Sequence, residues 1–191
     1  FEYYRLLTGV DSGELAVDTT LSALGQSVLA KQRRSSFALP EGYVVLMPGG
    51  ARNALRDDPL RRWSVASYVA LAEKILGQGN SVVLLGGPGD RWVSEYFAGL
   101  EVVDLVGQTS LTDMVALLDK ARCAVTHDSG PIHLASITSV PLVGIFGPTP
   151  ANAVLSFSRA KTVVLHPENR VTCSPCYDGR TYAACNSNVC M

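Results

Sequence analysis

Short, continuous apolar runs recur along this chain, each followed by a loop and then by a helical pattern of about a dozen residues. The runs are Tyr43–Met47, Ser81–Leu85, Val102–Val106, Ala124–Thr126, Leu142–Phe146 and Thr162–Leu165. A strand that is apolar on both faces is one buried on both faces, as in a parallel sheet covered by helices. Between the runs, Ser64 caps a segment that turns Val65, Tyr68, Val69, Ala72 and Ile75 inward and stops at Gly77 and Gly79. A second helix runs through Phe97, and Ser110-Leu111-Thr112-Asp113 is a capping-box variant that opens a third, to Lys120. Strands alternating with helices predict βαβ units, and so an α/β, Rossmann-like parallel sheet flanked by helices.

The chain has 191 residues, 47% of them hydrophobic, which is enough to bury a substantial core. Its formal net charge of −1 gives no general attraction to nucleic acid or to an anionic membrane. No apolar run approaches the roughly 20 residues needed to cross a bilayer. The opening, Phe1-Glu2-Tyr3-Tyr4-Arg5, lacks a signal-peptide pattern and an initiator Met, as expected of a piece of a longer protein. Residues 1–40 read as an interdomain linker with a packing helix over Asp18 to Arg34. Residues 41–170 read as the Rossmann-like domain, and 171–191 as a Cys-containing tail.

Chemistry gathers in the loops that follow the strands. These are Pro48-Gly49-Gly50-Ala51, Gly86 to Asp90, Gln108-Thr109-Ser110, Asp128 to His133, and Gly147-Pro148-Thr149-Pro150. In a doubly wound sheet such loops share the carboxyl edge, where ligands bind. In Asp128-Ser129-Gly130-Pro131-Ile132-His133-Leu134-Ala135, Asp and Ser ahead of a proline suit a helix entry. That entry would offer N–H groups and a positive dipole end to a phosphate, with Asp128 and His133 beside it. The same residues make ordinary turns in any protein, so the motif gains weight only from its neighbours. Arg52, Arg56, Arg61 and Arg62 follow the first glycine turn and could clamp a diphosphate, or serve solubility. Asp90 could accept from ribose hydroxyls, or could be a helix N-terminal charge. No loop matches the G-x-G-x-x-G dinucleotide or P-loop pattern, which argues against NAD-dependent redox chemistry and ATP hydrolysis.

Several of these motifs occur together: Pro48-Gly49-Gly50 with Arg61-Arg62-Trp63, Leu84-Leu85-Gly86-Gly87 with Asp90, the Asp128–Ala135 stretch, and Phe146-Gly147-Pro148-Thr149. In that order, from Tyr43 onward, the chain resembles glycosyltransferase family 9, the ADP-heptose:lipopolysaccharide heptosyltransferases. The resemblance implies the C-terminal, donor-binding half of a GT-B enzyme, and inverting transfer of heptose to the lipopolysaccharide inner core without a metal or other cofactor. It places the donor diphosphate at Gly49, Gly50 and Arg61, the ribose at Asp90, adenine near Thr109 and Leu111, and the heptose and pyrophosphate at Asp128, Ser129, Gly130 and His133. The family usually has Lys where Arg61 stands, and often Ser or Thr near Gly50 and Ala51. The resemblance implies an acidic general base on the N-terminal domain, so no catalytic residue in this chain, which alone would bind donor without transferring it. It also implies a cytoplasmic location, with peripheral association at the inner face of the inner membrane left open.

Cys123 begins an apolar run and reads as a small buried hydrophobe. Cys173, Cys176, Cys185 and Cys190 have spacing compatible with a Cys₄ zinc site, a disulfide or reduced thiols. His127 and His166 read as strand-end or surface residues. Two further readings stay open: a UDP-sugar 2-epimerase-like or other GT-B enzyme, and a non-catalytic nucleotide- or zinc-binding module.

Overall fold

In the computed structural model of the chain, the described residues are 37–51, 57–155, 161–166 and 171–191, with Ala23, Gln26 and Ser27 before them. The expected helix over 18–34 lies outside these, apart from those three residues, which are helical. The six apolar runs form β1 (Val44–Met47), β2 (Val82–Leu84), β3 (Val102–Asp104), β4 (Cys123–His127), β5 (Leu142–Ile145) and β6 (Thr162–Leu165). All pair in parallel, in the order β3-β2-β1-β4-β5-β6. The α/β class and parallel sheet expected from the alternation are thus observed.

The buried residues of β1 divide between two cores because successive side chains of a strand face opposite ways. Val45 and Met47 pack on one face with Val83, Leu117, Leu118 and Ile132. Leu46 packs on the other with Tyr68, Ala72, Val82, Leu84 and Phe97. Helices α1 (Val65–Gly77), α2 (Leu111–Lys120) and α3 (Gly130–Ser136) supply the covers. The Ser64 cap accepts from the Ser67 N–H at 3.0 Å. At α2, Ser110 and Asp113 satisfy one another's backbone N–H groups as the sequence pattern anticipated.

Three local expectations change. The helix through Phe97 is a run of 3-10 turns over Pro88–Phe97. Its tight start is held by Asp90, whose carboxylate accepts the Gly87 N–H at 2.9 Å. At α3, Ser129 does not cap the helix with its side chain. Its Oγ instead donates to the His127 carbonyl at 3.3 Å, which ties the turn back to β4. Finally, β4 runs on to His127, one residue past the expected end. Among the described residues, no helix is long and apolar enough to cross a membrane.

Leu46 is fully buried on the central strand. Truncation there leaves a cavity between sheet and α1, so Leu46→Ala should destabilise the chain by about 2–5 kcal/mol in urea unfolding. Ser110→Ala, which removes only a cap, should cost about 1 kcal/mol.

Candidate functional site

The strand order reverses between β1 and β4, which are adjacent in space although β2 and β3 lie between them in sequence. In sheets of this kind the loops leaving two such strands diverge and open a crevice. Here those loops begin at Pro48 and Asp128.

The first loop is built on close approach. Gly50 has φ of +90°, and a Cβ placed on it would lie 2.8 Å from Ser129 Cβ. A Cβ on Gly49 would lie 2.5 Å from Asp90 Cβ. Glycine at both positions therefore lets the β1 loop touch the β2 and β4 loops at once. The contact is fixed by charge-assisted hydrogen bonds: Asp90 accepts from the Gly50 N–H at 2.7 Å as well as from Gly87. Arg62 Nε donates to the Gly50 carbonyl at 2.8 Å, its guanidinium pairs with Asp57, and it lies 5.9 Å from the centre of the Trp92 ring.

Arg61, at the end of a 3-10 turn over Pro59–Arg61, reaches into the crevice. Its guanidinium is 3.1 Å from Asp58 Oδ2 and 3.4 Å from Asp128 Oδ2. Burial pulls its pKa down, but Asp128, Tyr182 and Asp58 outweigh that and hold it above the ordinary arginine value. Asp128 is 5% exposed. Its Oδ2, with Arg61 Nε and Thr149 Oγ1, is buried without a partner at hydrogen-bond geometry. Buried polar atoms of native proteins nearly always have partners, so such a group at the mouth of a crevice is chemistry that a ligand can complete. Beneath it, the His127 Nδ1 and the Tyr68 hydroxyl are hydrogen-bonded at 3.0 Å, both residues fully buried. Burial foremost, then Arg62 and Arg61, push His127 down to about 3, so the ring is neutral at physiological pH.

The structure therefore gathers Gly49, Gly50, Arg61, Asp90, Asp128 and Ser129 of the expected residues. Gly130 and His133 belong to α3; His133 is exposed, in electrostatic reach of Asp128 and Arg61. Packing around its ring, the largest effect, holds it below the ordinary histidine value against the upward pull of Asp128. Thr109 sits on the loop after β3, its Oγ1 buried and unpartnered, whereas Leu111 opens α2 with 68% of its surface exposed. Arg52 and Arg56 lie outside the described residues. Asp90 joins two loops, and Arg62 braces Gly50, so both are committed to backbone groups.

Sequence reasoning placed His127 at a strand end or surface; it does end β4, and the surface alternative falls because it is fully buried. The signal lay in its position directly ahead of Asp128, within a strand covered on both faces. Thr149 and Tyr182 were not among the expected site residues. Among the described residues, no group of three or more His, Cys, Asp or Glu side chains is placed to hold a metal ion. All five cysteines are free, and Cys123 is half-buried rather than buried. The Cys185 thiol is held below the usual range by N–H groups of Asn188 and Ser187.

Residues 4–182 match the profile of "Glycosyltransferase family 9 (heptosyltransferase)". A lipopolysaccharide heptosyltransferase 1 of Pseudomonas aeruginosa is 32% identical, over 91% of this chain and 50% of the relative. A lipooligosaccharide heptosyltransferase 2 of Haemophilus influenzae is 32% identical over 56% of this chain and 33% of the relative. This chain thus spans a third to a half of the length of these relatives. In fold it is similar to the E. coli ADP-heptose lps heptosyltransferase II, with TM-score 0.58 and 24% identity over 82% of this chain and 44% of that one. It is also similar to the E. coli heptosyltransferase WaaC with ADP-2-deoxy-2-fluoro heptose, with TM-score 0.59 and 19% identity over 86% and 47%.

Two outcomes test the geometry. His127 stays unprotonated when folded but titrates near 6.5 when unfolded, so the unfolded state gains protons as pH falls. The stability due to its neutral ring is complete above pH 6.5 and is lost progressively toward pH 3. By pH 5 the loss should reach about 2 kcal/mol, and in denaturant titrations His127→Gln should show a shallower pH slope than the wild type. Asp90→Ala strips two backbone N–H groups of their acceptor and should cost about 1–3 kcal/mol in the same assay.

Proposed function

The chain belongs to glycosyltransferase family 9, and from that premise we propose that it is the donor-binding portion of a heptosyltransferase, the C-terminal of two Rossmann-like units in a GT-B enzyme. The ligand is an ADP-sugar, an ADP-heptose by analogy with the family, lying across the carboxyl ends of β1 and β4. The observation that carries this reading is the pair of half-buried Arg61 and buried Asp128 at the point of strand reversal, with polar atoms left unpartnered around it. A guanidinium beside a close-approach glycine turn suits a diphosphate, and a buried carboxylate suits sugar hydroxyls.

In this reading the diphosphate lies at Gly49, Gly50 and Arg61, and the ribose near Asp90, which keeps lone pairs beyond its two backbone bonds. Adenine takes the Thr109–Leu111 side, and the sugar the Asp128–Gly130 turn. An acceptor hydroxyl attacks the anomeric carbon as ADP leaves from the opposite face, inverting that centre. The charge growing on the leaving diphosphate is met by Arg61, with the His133 imidazole at the rim as a further donor. The acceptor proton goes to a carboxylate base expected on the other unit of the architecture. The acceptor is the lipopolysaccharide inner core, and the work is placed in the cytoplasm at the inner membrane face.

Titration calorimetry with ADP, an ADP-sugar and a UDP-sugar tests this. The adenine compounds should bind and raise the melting temperature, while UDP-sugar should not. Arg61→Ala should weaken ADP about tenfold or more, since a charged contact is lost. Arg61→Lys, which keeps Asp128 paired, should fall between. UDP selectivity, or unchanged ADP affinity in Arg61→Ala, would overturn the reading.

A further inference from the structure

The two members of the Arg61–Asp128 pair are attached to opposite ends of an aromatic stack beneath the crevice. Arg61 stands two residues ahead of half-buried Trp63, and Asp128 directly follows His127. Between the two rings lies Tyr68, fully buried. Its ring meets Trp63 edge-on at 4.8 Å between centroids and His127 edge-on at 5.9 Å, separations that aromatic pairs favour. Its hydroxyl is hydrogen-bonded to His127 Nδ1 at 3.0 Å. Both ends are tied to regular backbone. The Tyr68 N–H donates at 3.2 Å to the carbonyl of Ser64, the residue that follows Trp63 and caps α1. His127 pairs with Ile145 in the sheet, and its carbonyl accepts from Thr126 Oγ1 and Ser129 Oγ at 3.1 and 3.3 Å.

We propose that Tyr68 is a positioning residue of the donor site: as the middle ring of the stack Trp63–Tyr68–His127, it sets the separation of the Arg61 guanidinium from the Asp128 carboxylate. The proposal rests on the donor-site reading above and deepens it by naming what holds the diphosphate-binding cation in place. The 3-10 turn Pro59–Arg61 buries no residue of its own. On its N-terminal side it is moored by the Asp58 N–H, which donates to the Ala51 carbonyl at 2.8 Å. On its C-terminal side the nearest ring seated against the core is Trp63. The position of Arg61 relative to Asp128, 3.4 Å away, therefore depends on how Trp63 and His127 are spaced, and Tyr68 touches both.

The chemistry fits a fixed spacer. Burial pushes the Tyr68 phenol well above its ordinary value, and burial foremost pushes His127 down to about 3. Both groups are neutral at physiological pH, so their hydrogen bond persists when an anionic ligand enters above them. Charge-assisted hydrogen bonds are short and directional, and a guanidinium displaced by a fraction of an ångström meets a phosphate less well.

Calorimetric titration of the full chain with ADP and with AMP, which differ by one phosphate, decides it. Tyr68→Phe keeps the ring and removes the hydroxyl that holds His127, so it should melt at a lower temperature. Where still folded, it should bind ADP about five- to tenfold more weakly. AMP should weaken less, so the preference for ADP over AMP should shrink. Leu118→Ala, a truncation in the core on the opposite face of the sheet, should lose stability yet keep the wild-type preference. Trp63→Phe, which thins the other end of the stack without removing a hydrogen bond to His127, should shrink the preference as well, and decides the matter if Tyr68→Phe is too unstable to titrate. If Tyr68→Phe binds ADP as the wild type does, loses ADP and AMP by the same factor, or is matched by Leu118→Ala, Tyr68 is core support only. The inference then falls while the donor-site reading stands. If the wild type binds ADP no more tightly than AMP, the donor-site reading falls and takes this inference with it.

Discussion

The adjacency of β1 and β4 governs everything at the carboxyl edge of this sheet. Parallel pairing of Val44–Met47 with Cys123–Thr126 puts two loops that are far apart in sequence within a residue's length of each other. Because β1 has strands on both sides and core on both faces, it cannot shift without breaking two ladders and two apolar clusters. The crevice above it thus has a rigid floor, and precision in the loops follows from that floor rather than from the loops themselves.

On this floor the polar groups are arranged in two tiers. The lower tier is committed to the fold: Asp90 joins Gly50 to Gly87, Arg62 holds the Gly50 carbonyl, and Tyr68 meets His127 in the dry interior. The upper tier is buried Asp128 and Thr149 with half-buried Arg61, each with a polar atom that meets no partner at hydrogen-bond geometry. Removing water from charges is costly unless geometry is complete, so an ion pair at 3.4 Å without a full hydrogen bond stabilises the fold little by itself.

The sheet, its parallel sense and two helix caps were legible because they rest on local patterns: six apolar runs, Ser64, and the Ser110–Asp113 box. The strand-end loops were legible as a set for the same reason. What escaped depends on contacts between distant residues. Nothing near Asp90 reveals that its carboxylate is taken by Gly50, forty positions earlier. Ser129 looked like a cap, but the backbone of β4 competes for its hydroxyl and wins. His127 looked peripheral because its partner, Tyr68, lies 59 positions away on α1. Tyr182 sits in a stretch with no periodicity, and its nearness to Arg61 depends on bridging Tyr177, whose N–H is held by the distant Pro148 carbonyl.

The guanidinium that braces Gly50 also rests near the indole of Trp92, which is 36% exposed. The chain's other indole, Trp63, packs edge-on against buried Tyr68. Each of the two indoles is therefore wired to a different depth of the same crevice, one to its rim and one to its foundation. Light emitted by the protein carries a record of whether the glycine turn has moved, and no label need be attached to read it.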